Sequence, residues 1–467
     1  MRAKLTALRA HLDDSLFPAA RQAASTLNRW ELGVVVGALL ALAVVLQLAR
    51  LGWSSSLNSL WAEDGPIYMQ EALTQDFWHA IVSTYATYLV LVPRLIAEGA
   101  SLAPLKDVPA AVSILSALVV GLSGLAVWHA AAAHIPSPYL RGTLVALTVL
   151  SPVAGLESLD SAAYVPWYML FACFWLLLWR PRTTRGAGLG GLFVLLTGLS
   201  TPGLWFFAPL AGLRALAIRG RRDLIVVASY ALGAGVQIPV LALNDETAVQ
   251  PLWTGDIWTT FLQRIVDGAP LGLRLGGNAW SHLGWPFLIA LCVAVAVGFA
   301  VGFRKAAPGA RYLAAIALPT ALAMFVVSLY QRAVGTQMIW PEGIWNGSGS
   351  RYAIVPALLV VSAALVLLES ALRRRAPAAA DAPAPRRLPG PSLAAVAILA
   401  IALVTSFWAR DLAVRGTPPW DAALDHAKAT CAGGEEDSAP IPTSPPGFGM
   451  LLPCEQIGAA PAATASR

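Results

Sequence analysis

Two neighbouring carboxylates, Glu63 and Asp64, stand in the run Trp61-Ala62-Glu63-Asp64-Gly65-Pro66-Ile67-Tyr68, directly behind the first long apolar stretch. An adjacent acidic pair can take up a proton as a general base or hold a hard divalent cation through oxygen; an ordinary solvated acidic turn reads the same way. A second acidic group follows in Glu157-Ser158-Leu159-Asp160-Ser161. Its carboxylates can serve a metal, or Asp160 or Ser161 can cap the helix that starts near Ala163. A third element, Asn346-Gly347-Ser348-Gly349-Ser350-Arg351-Tyr352, is a glycine-rich turn leading into an apolar run. Arg351 at a helix N-terminus suits a phosphate, through bidentate guanidinium geometry and the backbone amides beside it. An arginine snorkelling to lipid headgroups has the same pattern. Arg94, in Tyr88-Leu89-Val90-Leu91-Val92-Pro93-Arg94, carries both readings.

The stretch Asn244–Trp280 mixes acids (Asp245, Glu246, Asp256, Asp267) with Trp253 and Trp258. Indole faces stack on sugar rings and also anchor helices at membrane interfaces. His79 and His282 lack metal-ligand spacing, and the chain has no P-loop, dinucleotide fingerprint, His-Glu-x-x-His site or Gly-x-Ser-x-Gly elbow.

The elements that must position these residues are membrane helices. Hydrophobic residues make up 57% of the chain and charged ones 12%, too few charges for a water-facing surface of this size. The net charge of +6 comes from short basic clusters between apolar runs rather than one continuous stripe, so nucleic acid is excluded as a partner. Eleven spans are expected: Leu32–Arg50, Val108–Ala133, Thr143–Leu156, Ala163–Trp179, Gly186–Leu199, Leu204–Ile218, Leu224–Leu243, Leu283–Phe303, Tyr312–Tyr330, Tyr352–Leu372 and Ser392–Trp408. The fold class is therefore an all-α polytopic transmembrane helical bundle with outer-face juxtamembrane helices. The first span reads as an uncleaved anchor, since no small-x-small site follows it before Arg50.

With the N-terminus cytoplasmic, inner segments hold 21 of the 32 Lys and Arg, and outer ones 20 of the 26 Asp and Glu. If Ser83–Leu105, with Arg94 and Glu98, also spanned, later clusters such as Arg180–Arg185 would face outward. It reads instead as an outer-face or re-entrant helix. The chain thus divides into a cytoplasmic segment (1–31), a transmembrane core (32–372), a disordered cytoplasmic loop (373–391), a last helix (392–409) and an extracytoplasmic tail (410–467). Cys431 and Cys454 can pair in that tail if it lies in an oxidising compartment. Abundant Ala, Arg and Pro suggest a GC-rich bacterial source, and hence the bacterial cell (inner) membrane.

Taken together, Glu63-Asp64 behind the first span, Leu159-Asp160-Ser161 opening a later one, and Ser350-Arg351-Tyr352 with Pro356 resemble the type C glycosyltransferase superfold. The resemblance covers Leu32–Leu372 by architecture. In place of the Lys-Pro turn of many relatives the chain has Ser200-Thr201-Pro202-Gly203. The resemblance implies a polyprenyl-phosphate-linked sugar donor, an envelope glycan, lipid or protein acceptor, and an inverting displacement within reach of membrane lipids. It implies Asp64, and less so Glu63, as the base, with Arg351, Tyr352 and Arg94 at the donor phosphate. Mg²⁺ or Mn²⁺ on Asp64, Asp160 and Glu157 is one expectation and metal independence the other. A lipid or lipid-linked-sugar transporter and a non-catalytic scaffold are the competing classes.

Overall fold

The computed structural model describes residues 2–19, 28–217, 220–244, 256–332, 349–375, 389–408, 418–433 and 436–458. Its longer helices are α1 (Arg2–Leu16), α2 (Arg29–Leu51), α3 (Leu91–Ser101), α4 (Val108–Ala130), α5 (Pro138–Val149), α6 (Val165–Leu178) and α7 (Thr184–Gly198). They continue as α8 (Ala208–Ala217), α9 (Arg221–Leu243), α10 (Gly268–Lys305), α11 (Pro308–Arg332), α12 (Arg351–Arg375), α13 (Gly390–Thr405) and α14 (Trp420–Ala432). The chain is an all-α bundle of multi-pass membrane character. Among the described residues six helical segments are long and apolar enough to cross a bilayer, and a helix lies at each of the eleven expected positions.

Several of the eleven are short, for identifiable reasons. The helix expected to run to Leu156 stops at Val149, because Pro152 and Gly155 break the ladder and the chain unwinds into the acidic turn. Expected span Leu204–Ile218 begins as a 3₁₀ turn over Pro202–Phe207. Helix α10 is broken twice, at Gly272 (φ 72°) and Gly284 (φ 57°), backbone geometry that a side chain would strain. A Cβ at Gly272 would also collide with Ser406 Oγ.

At the centre stands α6. Every residue but Trp167 is buried, and its run of apolar residues has no polar face, as a helix surrounded by others requires. Its C-terminal carbonyls would be orphans in this apolar setting. The Arg214 guanidinium from α8 satisfies them, donating to the carbonyls of Leu177 and Trp179 at 2.6 Å each and of Leu176 at 3.3 Å. Its other nitrogen pairs with Asp223 at 2.9 Å.

Charge separates the ends of the bundle. At one end Asp13 pairs with Arg180 at 2.9 Å, Arg214 with Asp223, and His11 Nε2 bonds Tyr312 Oη at 3.0 Å. At the other lie Glu63, Asp64, Glu157 and Arg351. Residues 83–105 stay at this acidic end. They form a short hairpin, β1 (Thr84–Tyr85) with β2 (Tyr88–Leu89), followed by α3. Eleven residues of helix reach about 16 Å, half of a hydrocarbon core. The hairpin is tied to the bundle by Gln237, which accepts from Leu89 N–H and donates to the carbonyls of Leu89 and Gly198.

The expected pairing of Cys431 with Cys454 is present in the tail. Its described residues, 418–433 and 436–458, form a small folded cap, α14 packed on an antiparallel hairpin of β3 (Ser438–Thr443) and β4 (Phe448–Pro453), closed by the disulfide. Most of the loop expected to be disordered (376–388), the tail's start (409–417), and Asn346, Gly347, Ser348, Asp245, Glu246 and Trp253 lie outside the described residues.

Replacing Arg214 by Met should leave the Asp223 carboxylate and three helix-end carbonyls without their buried cation, at a cost of about 3 kcal/mol. The thermal midpoint in detergent should drop by several degrees, and an unchanged midpoint would show that α6 does not depend on this cap.

Candidate functional site

The acidic pair is built by backbone constraint. Ala62 has φ 38°, a left-handed conformation unusual for alanine, and its N–H donates to the Ser444 carbonyl of the cap. Ser444 N–H in turn donates to Leu60 at 2.9 Å, so Trp61 and Ser444 form a bridge. Gly65 lies so close beneath Thr443 that a Cβ there would come within 2.5 Å of its methyl. The twist turns the two carboxylates in different directions.

Asp64 points inward. It is 1% exposed, and its oxygens accept from the backbone N–H groups of Ala162 (3.2 Å) and Ala163 (2.9 Å), the turn that opens α6. This is a helix-start cap delivered from a remote part of the chain. Burial pushes its carboxyl up to about 7 against the counter-pull of those amides, and Glu63 beside it adds to the rise. Glu63 is only partly buried and faces the other way, accepting from Tyr164 Oη at 3.0 Å and Tyr85 Oη at 3.2 Å.

Arg351 closes the group. Its Nη1 pairs with Glu157 at 2.8 Å and reaches Tyr164 Oη at 3.3 Å, while its backbone N–H and Ser350 Oγ donate to the other Glu157 oxygen at 3.1 and 3.3 Å. Its guanidinium lies over the rings of Tyr164 (5.1 Å) and Tyr352 (4.8 Å). A continuous path of polar contacts therefore runs Glu157–Arg351–Tyr164–Glu63–Tyr85, linking three distant parts of the sequence.

Three expectations need correction. The carboxylates read as a metal set do not meet: Asp64 binds backbone amides, Glu157 binds Arg351, and Asp160 accepts from Ser56 Oγ at 2.6 Å. Among the described residues no three His, Cys, Asp or Glu side chains gather to hold a metal. Asp160 adopts φ 53°, which aspartate tolerates, and this turns it away from its neighbours. Arg94, placed at the donor phosphate, is 1% exposed and already neutralised by Glu71 at 2.5 Å. It braces the loop, over the ring of Tyr68. Tyr352 is buried, edge-on to Trp167 and beneath Arg351, so it positions the guanidinium rather than reaching a ligand.

The sequence reading missed Tyr164, Tyr85 and Arg264. Arg264 is 1% exposed and lies within electrostatic range of both Glu157 and Arg351, giving this carboxylate a second guanidinium neighbour. Its only signal in sequence was a lone arginine beyond the Trp-rich run; the tyrosines were hidden among the interfacial aromatics.

The arrangement offers a partly exposed carboxylate and a fixed guanidinium on one tyrosine hydroxyl. That geometry suits taking a proton at one atom while supporting negative charge a few ångströms away. No protein-family model matches the chain, and no curated protein matches its sequence.

Because Asp64 keeps its proton up to about pH 7 when folded, against 3.8 when free, the folded state binds the extra proton across that window. Its contribution to stability is complete below 3.8 and fades as pH rises to about 7. Thermal midpoints in detergent should show wild type losing ground to Asp64→Asn over that interval and a constant gap above it. Parallel curves would show an aspartate that titrates as if exposed.

Proposed function

We propose that the protein is an integral-membrane glycosyltransferase that moves a sugar from a polyprenyl-phosphate donor to an envelope glycan, lipid or protein acceptor. The observation that carries this reading is the sharing of the Tyr164 hydroxyl by Glu63 and Arg351, at 3.0 and 3.3 Å. A base and a phosphate-matching cation held together at the boundary end of a lipid-embedded bundle fit a reaction between a polar acceptor and a lipid phosphate.

In this reading the acceptor hydroxyl attacks the anomeric carbon, and the bond from that carbon to the phosphate oxygen breaks with inversion. The hydroxyl proton passes to a carboxylate, and the charge left on the carrier phosphate falls to Arg351. The sequence favoured Asp64 as the base. Exposure favours Glu63, since Asp64 is sealed behind backbone amides and fastens the turn to α6. Arg351 must be released in part from Glu157, or shared with it, when a phosphate arrives. Arg264 nearby offers Glu157 a second cation when Arg351 turns to the phosphate.

The bacterial inner membrane, with the N-terminus cytoplasmic and the acidic end outside, completes the proposal. The clustering of cations at the opposite end supports it. So does a disulfide-closed cap at the acidic end, which fits an oxidising compartment.

A lipid-linked-sugar transporter is the second reading, favoured by Asp267. This carboxylate is buried against Gly276 with neither oxygen hydrogen-bonded among the described residues. Buried acids of that kind mark ion pathways in transporters.

Membranes carrying Glu63→Gln should lose sugar transfer by about 10²–10⁴-fold at normal protein abundance. Arg351→Ala should lose about 10²–10³-fold, with lipid-linked donor accumulating. The readout is transfer from radiolabelled polyprenyl-phosphate sugar, together with the cell's glycan profile. Full transfer by both variants would end the transferase reading, and lost transport with Asp267→Asn alone would favour the second.

A further inference from the structure

At the basic end, far from the acidic pair, three helices leave a slot between them. It has a volume of about 420 Å³ and is bounded by Val295, Gly298 and Lys305 of α10, Leu368 and Ala371 of α12, and Pro391 of α13. The size is that of a site for a small ligand or part of a larger one. Its walls are apolar, and Lys305 is the one charged residue on them.

Glycine spacing shapes the slot. At Gly302 the neighbouring helix is close, with Leu367 3.2 Å from where a Cβ would be, so α10 and α12 touch. One turn earlier, Gly298 has open space at the same position. The helices therefore meet near their ends and part above, leaving a channel along α10. From Val295 to Lys305 it rises about 15 Å, from mid-helix to the helix end.

The cations around the mouth are not equivalent. Arg373 pairs with Glu369 at 2.9 Å, Arg374 donates to the Ala306 carbonyl, and Arg311 donates to the carbonyls of Ala306 and Arg304. Lys305 is exposed and has no ion pair among the described residues. An apolar channel open to the bilayer, ending at an exposed ammonium at headgroup height, matches a lipid with a hydrocarbon tail and a negatively charged head.

We propose that the slot binds one anionic phospholipid, with an acyl chain along Gly298 and the headgroup phosphate on Lys305. A carrier phosphate would offer similar chemistry, but the proposed reaction uses its carrier at the opposite end of the bundle. The site is independent of that reaction and stands or falls separately from it.

The test uses the full-length chain in nanodiscs containing equal amounts of phosphatidylglycerol and phosphatidylcholine, with retained lipids counted by native mass spectrometry. Wild type should keep one phosphatidylglycerol in preference to phosphatidylcholine. Lys305→Gln should reduce that preference about fivefold, the value of one lysine near an anionic surface. Gly298→Phe, placed in open space, should abolish retention without lowering the thermal midpoint. Lys106→Gln, an exposed cation at the other end, should change nothing.

Equal retention of both lipids, or a preference untouched by either substitution, would mean annular lipid only and overturn the proposal. No retained lipid at all would mean that the slot is not a lipid site. Displacement of phosphatidylglycerol by added polyprenyl phosphate at equal concentration would assign the slot to the carrier instead. Either result likewise overturns it.

Discussion

The architecture depends on holding one apolar helix, α6, at both ends where water cannot. A buried helix needs partners for the amides at its start and the carbonyls at its finish. Here each end is served by an ionisable side chain from a distant part of the chain. Asp64 accepts from the leading amides, and Arg214 donates to the trailing carbonyls. Arg214 brings a positive charge to the finish, where the helix dipole favours one, and Asp64 brings a negative one to the start only when it gives up its proton, at about pH 7 and above. Structure and site share this constraint, since the same turn that gives Asp64 to the helix directs Glu63 to Tyr164.

That division gives the two neighbouring carboxylates separate tasks. Burial and backbone amides make Asp64 a fastening. Partial exposure and phenolic donors leave Glu63 available to another molecule. Environment rather than residue type separates them. Arg351 occupies a similar middle position, held by Glu157 and stacked on aromatic rings with its side chain 17% exposed.

What the sequence could convey follows from how locally each feature is encoded. Spans such as Val108–Ala130 and Arg351–Arg375 were legible because hydropathy and length are properties of contiguous residues. So were Glu63, Asp64, Glu157 and Arg351 as boundary residues, since each lies beside an apolar run. The metal set failed for the opposite reason. Whether Asp64, Asp160 and Glu157 converge depends on the backbone rotation at Ala62 and Asp160, which no pattern announces. Tyr164 and Arg264 were illegible because their partners lie up to about two hundred residues away. The strand Ser438–Thr443 has no clear pattern in the sequence, since Pro440 and Pro442 interrupt it. A two-stranded sheet leaves one side of each strand unpaired, and there proline is tolerated.

The clamp of Ser444 on Trp61 and Ala62 joins segments separated by nearly the whole chain, and this has a bearing on biogenesis. Synthesis and membrane insertion proceed from the N-terminus, so the acidic turn emerges early and waits. It gains its twist only after every later helix has been inserted and the disulfide-closed hairpin has been delivered to the same side. A ribosome that stalls before codon 440 would leave an inserted bundle whose acidic turn lacks its clamp. Synthesis past the hairpin is thereby a condition for setting the acidic turn, a form of proofreading written into the contacts of Ser444.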